Sequence, residues 1–401
     1  MPWQEQSTMS LKQEFVSLAA QEGANLTQLC ARFAISRPTG YRWLARHRAD
    51  PRAGLTERSR CPLTSPGQTP KTVEDAVLAL RDAHPAWGGR KLRARLLALV
   101  EEGGLTGAVP PVPPGRIPAA STVTAILRRH GRLDPAESAK HTAWQRFEHP
   151  APNDLWQVDY KGHVALTGGG RCHPLTILDD HSRFLLGLGA HPNEQDATVR
   201  TALEAAFRRY GLPVRILCDN SGPWGVPQAG HTLTALGVWL IRLDVAIAHG
   251  RPRHPQTQGK AERFHRTLKA EVLRSGVYPD LVASQTAFDA WRAVYNLQRP
   301  HEAIGLATPI HRYAASPRPF PTTLPAPEYG PDDAVRAVHG GGQLSYRGRL
   351  HVVGTALRGH RVALRPTAED GVLAVYFCHH RVGFLDLRTP SPGIIREGTP
   401  L

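Results

Sequence analysis

The chain has 401 residues, 41% of them hydrophobic, with 49 Lys and Arg against 34 Asp and Glu for a net charge of +15. That length calls for two to four domains, and the basic excess points to a polyanionic partner, nucleic acid ahead of an anionic membrane. No run of about 18 apolar residues occurs, the opening MPWQEQSTMS has no apolar h-region, and the five cysteines form no CxxC pair. These features argue against a membrane span, a secretory signal, a disulfide framework and a zinc knuckle, and they fit a reducing cytoplasm.

Residues 10–48 read as three short helices. Leu11, Phe15, Leu18 and Ala19 recur at helical spacing, and Leu26, Leu29 and Phe33 make a second apolar stripe. Ser36 is a candidate N-cap for RPTGYRWLARHR, with Pro38 in its first turn and a turn around Ala34–Ile35 before it. This is a helix-turn-helix pattern, whose last helix enters the major groove. Arg37, Thr39 and Arg42 are expected to face DNA, and Trp43 and Leu44 to pack inward. Residues 1–56 form this domain, and the Pro/Ser/Thr-rich stretch 57–72 a linker.

A second helical domain, again a helix-turn-helix candidate, is expected over 73–135. Val73, Val77 and Leu80 line one helix, Trp87-Gly88-Gly89 opens RKLRARLLALV, and Ser121 caps STVTAILRRHG. Residues 136–152 connect it to a segment of different grammar. LWQVDYKGHVAL alternates like a strand, and HPLTILDD and RFLLGLGA flank a turn at His181-Ser182. A helix is expected at about 195–210, then a short buried strand, VRILC, ending on Asp219. Residues 153–315 therefore predict a mixed α/β domain with an antiparallel start and a later parallel strand. Six prolines in 316–332 mark another linker, and the short strands with Gly turns over 333–401 predict a small β-barrel. Arg347, Arg349, Arg358, Arg361 and Arg365 make it a candidate phosphate-contacting surface, with a plain solvated barrel as the alternative.

The stretch HPQTQGKAERFHRTLKAEV (254–272) opens polar and turns helical. On a helix of about 100° per residue, His265, Arg266 and Lys269 share the face of Glu262. Ala261, Phe264, Leu268 and Val272 form the buried stripe. Glu271 lies on the side away from Glu262, where a surface role accounts for it. Asp159 is an acid inside an apolar strand, which is costly unless paired or metal-bound. Asp219 follows VRILC at the carboxyl end of a strand, where open α/β sheets place ligands. Asp159, Asp219 and Glu262 could converge on two hard divalent ions, Mg²⁺ or Mn²⁺, of the kind that serve phosphodiester chemistry. Asp179 and Asp180 sit at a hairpin turn, where Asp is at home, with a direct role the minor reading for Asp180.

ILDDHSRF (177–184), YGLPVRILCDN (210–220), the block around Glu262 and YNLQRPHEAIG (295–305) resemble the IS481-type transposases of the DDE transposase/retroviral integrase superfamily. The resemblance implies an RNase H-like catalytic core with Asp159, Asp219 and Glu262 as catalytic metal ligands. It also implies DNA contacts by Lys269 and by Lys260 of the QGK motif, and Arg266 and His265 are candidates beside them. Two departures stand out: 42 residues separate Asp219 from Glu262, more than is common in the superfamily, and Asp219-Asn220-Ser221-Gly222 replaces the usual Asp-Asn-Gly. The expected function is a DNA transposase acting on double-stranded element ends and target DNA, as a homodimer or larger assembly at the bacterial nucleoid. A repressor descended from a transposase and an RNase H-like nuclease without strand transfer are the alternatives.

Overall fold

The structure is a computed structural model and describes residues 7–51, 53–57, 67–103, 109–113, 115–133, 148–219, 224, 233–249, 259–274, 276–389 and 393–394. It divides into two compact units, Met1–Gln68 and Thr69–Leu401.

In the first unit, helices α1 (Thr8–Ala19), α2 (Leu26–Arg32) and α3 (Arg37–Ala49) enclose Phe15, Val16, Cys30, Trp43, Leu44 and Leu55. Ser36 caps α3 by accepting from the Thr39 amide, as its position predicts, and Pro38 stands in the first turn. Gly40 is needed because α3 runs close to its neighbours. A Cβ there would lie 2.6 Å from the Cys30 sulfur and 2.9 Å from the Phe15 ring. Arg37, Tyr41 and Arg42 are exposed on α3. Thr39 is half-buried, with its hydroxyl 2.9 Å from that of Ser36, so the cap takes up the group expected to face DNA.

The second unit opens with α4 (Lys71–Ala83), α5 (Gly89–Glu101) and α6 (Ala120–Arg129) around Val77, Trp87, Leu92, Leu96, Ile126 and Leu127. The first of these begins two residues inside the stretch expected to be linker. Ser121 does not cap α6. The helix starts one residue earlier with Ala119 at the cap position and no side-chain cap, so Ser121 lies within the first turn.

The central sheet contains β1 (Leu155–Tyr160), β2 (Val164–Ala165), β3 (Arg171–Asp179), β4 (Leu185–His191), β5 (Arg215–Cys218) and β6 (Ala246–His249). β3 lies between β4 and β1, both antiparallel to it, and β1, β5 and β6 follow in parallel. β2 pairs the start of β3. Successive strand side chains point to opposite faces, so β1 splits into two sets. Trp156 and Val158 join the apolar layer under α7 (Asp196–Tyr210) and α8 (Ala235–Arg242), with Val199, Leu203, Phe207, Trp239 and Leu240. Gln157 and Asp159 face the other side. That side carries α9 (Gly259–Leu268), continued by a π turn at Lys269–Leu273, and α10 (Leu281–Leu297). Their core residues Phe264, Leu268, Val272, Phe288 and Trp291 pack on Leu178, Leu185 and Leu188. The edge strand β4 is sealed by amide side chains of α10: Asn296 bonds both backbone groups of Leu185, and Gln285 bonds Ala190 N and Leu188 O.

The Pro-rich stretch 316–332 has no regular element but is laid along the core. Phe320 and Leu324 pack against the layer under α7 and α8, and the Arg318 guanidinium donates to the carbonyls of Pro213, Leu243 and Asp244. Beyond it, β7 (Ala334–Ala337), β10 (Arg361–Pro366), β11 (Val372–Phe377) and β12 (His380–Asp386) form an antiparallel sheet in the order β12-β11-β10-β7. β8 (Gln343–Tyr346) and β9 (Arg349–Val352) pair with each other as a separate ribbon, and Val352 of β9 also bridges Gly393. Among the described residues no barrel closes. The apolar face is instead covered in part by Val238 and Ile241 of α8, so the sheet can bury it without curling shut. Arg347, Arg349, Arg358 and Arg361 are exposed, whereas Arg365 is committed to a two-point pair with Asp333 at 2.7 and 2.8 Å.

Candidate active site

Register places the two predicted aspartates together. β1 and β5 run parallel with Leu155 opposite Arg215 and Gln157 opposite Leu217, so continuing the ladder by two residues sets Asp159 beside Asp219. Both fall on the face of Gln157 and Leu217, the side of the sheet that carries α9. Burial pushes the Asp159 carboxyl up to about 7, and the neighbouring charge of Asp219 adds to the shift. Like charges held side by side in a partly desolvated place raise the cost of ionising both.

α9 lies across β1 on that face. His265 is buried, its Nε2 3.1 Å from the Thr176 hydroxyl and its Nδ1 3.7 Å from the Asp159 carboxylate. Thr176 donates its own proton to the Asp159 carbonyl at 2.9 Å, so the His265 Nε2–H must be the donor to the hydroxyl. Burial, with Lys161 second, pushes the imidazole down to about 4, and His265 is neutral at physiological pH. This corrects the expectation that His265 faces DNA. On the helical wheel it sits at the border between the face of Glu262 and the buried stripe, and the sheet claims it.

Glu262 is exposed in the first turn of α9, and Arg266 and Lys269 are exposed further along. Among the described residues no group of three or more His, Cys, Asp or Glu side chains is gathered closely enough to hold a metal ion. Residues 220–223 and 250–258, which flank Asp219 and lead into α9, lie outside the described residues. So do most of 221–234, the stretch that would hold the extra spacing.

Lys260 does not face outward either. Its Nζ is 2.6 and 2.7 Å from the two carboxylate oxygens of Asp180. Asp180 also accepts from Gln157 Nε2 at 2.7 Å and from the His149 amide at 2.9 Å. Asp179 is buried and accepts from the Asn153 and Ser182 amides, a turn-forming aspartate. Glu271 is not a surface residue. Its side chain is 9% exposed, paired with Arg299 at 2.9 Å and accepting from the Trp291 indole at 3.0 Å. The wheel puts it at the rim of the buried stripe, about 20° from Phe264, and α10 with the chain just beyond it covers that rim.

Several neighbours carried no sequence signal. Lys161 and Glu194 both act electrostatically on Asp159, and Glu194 pairs with His173 at 2.8 Å. His249 stands opposite Cys218 with its Nδ1 3.3 Å from the Asp219 carbonyl.

Profiles of known families match five stretches of the chain. A helix-turn-helix domain profile matches residues 11–62, a homeodomain-like profile 39–110, integrase core domain profiles 149–255 and 243–309, and the IS481 family transposase C-terminal domain 333–393. An uncharacterized 31.7 kDa protein of insertion element IS407 from Burkholderia multivorans is 29% identical over 159 residues, 40% of this chain and 54% of that protein. An uncharacterized 39.2 kDa protein of insertion element IS476 from Xanthomonas euvesicatoria is 27% identical over 167 residues, 42% of this chain and 46% of that protein. The chain thus spans about half the length of these curated relatives. A simian T-cell lymphotropic virus intasome chain aligns with 71% of this chain and 93% of its own length, at 14% identity and a TM-score of 0.35. The chain thus carries an integrase core domain over residues 149–309 and the C-terminal domain of the IS481 family transposases over 333–393, in keeping with its resemblance to the IS481-type transposases.

Proposed function

We propose that the protein is a transposase that cleaves the ends of its own element and joins them to target DNA. The observation that carries this reading is the placing of Asp159 beside Asp219 on the sheet face that α9, the helix of Glu262, lies across. Two adjoining carboxylates, one of them resisting ionisation, fit a divalent cation such as Mg²⁺ or Mn²⁺, whose charge relieves their repulsion and whose preference is for oxygen ligands. Asp159, Asp219 and Glu262 would hold the ions. When bound, such ions would lower the pKa of an attacking hydroxyl or water and stabilise the leaving oxygen.

The chain's own residues do the rest. The neutral His265 ring fixes Asp159 through Thr176 without adding a competing positive charge. Lys269 and Arg266, exposed on the same stretch of helix, would meet phosphates of the scissile strand. Arg37 and Arg42 on α3 contact element ends, and Tyr41, exposed between them, supplies an apolar edge to a base. Holding two ends requires at least a homodimer on DNA, and element ends in a bacterium place the protein at the nucleoid.

Joining of an end to a plasmid tests the reading. A labelled element end that already carries a free 3′-OH should be joined in the presence of Mg²⁺. Cleavage of uncut ends with no joining would leave a nuclease. End binding with neither reaction would leave a repressor.

A further inference from the structure

We propose that Lys260 is a positioning residue that, with Asp180, sets the rotation of the helix bearing Glu262 over the sheet; this rests on the reading of Glu262 as a catalytic acid. A cation in the first turn of a helix opposes the helix dipole, so Lys260 needs a specific partner there. It has one: both oxygens of a carboxylate that is 2% exposed. Asp180 is bound in turn to Gln157 on β1 and to the His149 amide where the chain enters the core. Gln157 shares its sheet face with Asp159, two residues on.

Lys260 and Glu262 flank the buried stripe of α9 from opposite sides, about 160° apart on the wheel. His265 fastens the Glu262 side to Thr176, and Lys260 fastens the other side to Asp180. Two polar attachments on the two borders of an apolar stripe fix how far the helix can roll, which hydrophobic contacts alone do not. Glu262 has no burial of its own to hold it, so its direction follows from that roll. The Lys–Asp pair joins residues 80 apart in sequence and ties the helix to the β3–β4 turn rather than to DNA.

The test uses the full chain without DNA or metal and reads hydrogen exchange of the α9 amides 263–268, followed by end binding and cleavage. Loss of a charge-assisted bond should speed that exchange about tenfold or more in Lys260→Met, while α7 amides stay at the wild-type rate. Cleavage at saturating DNA should fall with end affinity unchanged, and Lys260→Arg should restore both exchange and cleavage in large part. Should Lys260→Met not fold, the double variant Asp180→Asn/Lys260→Met, which leaves no unpaired charge, must show the same local loosening. Unchanged α9 exchange, or lost end affinity with unchanged exchange, would overturn the proposal in favour of a DNA-contacting lysine. Retained cleavage in Glu262→Gln would defeat the catalytic reading instead, and the exchange result would still decide the role of Lys260.

Discussion

Replacing Asp159 by Asn should stabilise the metal-free protein at alkaline pH while disabling its proposed chemistry. The Asp159 carboxyl rises from an ordinary 3.8 to about 7, through burial first and Asp219 second. A carboxyl whose folded value lies above its unfolded value is no burden below about pH 4, becomes one as the unfolded chain ionises, and reaches its full cost above about pH 7. That full cost is about 4 kcal/mol at most. Between pH 5 and pH 8 the stability gap between Asp159→Asn and wild type should therefore widen by about 2–3 kcal/mol. Hydrogen exchange of the Trp156–Val158 amides, buried in β1, reports opening of this unit and suits a chain of two units better than a single melting curve. Addition of Mg²⁺ at pH 8 should return stability to wild type and leave the variant unmoved. A gap that stays constant with pH, or wild type gaining on the variant as pH rises, would refute the assigned shift and its cause.

Other consequences can be measured alongside. Glu271→Ala strands Arg299 and the Trp291 indole in a buried place and should cost about 3–5 kcal/mol in urea unfolding of the core, with Arg299→Ala comparable; a change below about 1 kcal/mol would return Glu271 to the surface role its sequence first implied. Gly40→Leu should unfold the first helical unit and abolish end binding while leaving the core fold intact, because its side chain would meet Cys30 and Phe15; circular dichroism of the isolated change and footprinting on end DNA decide it. Arg37→Ala or Arg42→Ala should weaken end binding and, if phosphate-bound, lower the salt slope by about one each. Ser36→Ala should cost about 1 kcal/mol in the same unit through the lost cap.

The candidate site stands out in the sequence because its acids break local rules. Asp159 interrupts an apolar strand, Asp219 ends a buried one, and Glu262 shares a helix with a clean apolar stripe; each anomaly is visible within a few residues. The first three helices were legible for the same reason, since Ser36 and Pro38 are local signals. What stayed hidden depends on distant partners. Lys260 meets Asp180 from 80 residues away, and His265 meets Thr176 from 89. Glu271 is buried by Trp291 and Arg299, 20 and 28 residues on, which no wheel for α9 contains. The C-terminal strands were legible individually, but that no barrel closes among the described residues goes with α8 of the core covering the sheet. Charge type alone does not tell Lys260, paired with buried Asp180, from Lys269, which stays exposed.

The central claim is that Asp159, Asp219 and Glu262 act as one site. The most direct measurement is Mg²⁺-dependent nicking of element-end DNA by Asp159→Asn, Asp219→Asn and Glu262→Gln, each beside its end affinity. The account predicts that every variant binds ends like wild type and nicks at background, with no further loss when two changes are combined. Wild-type nicking by any one of the three would contradict it.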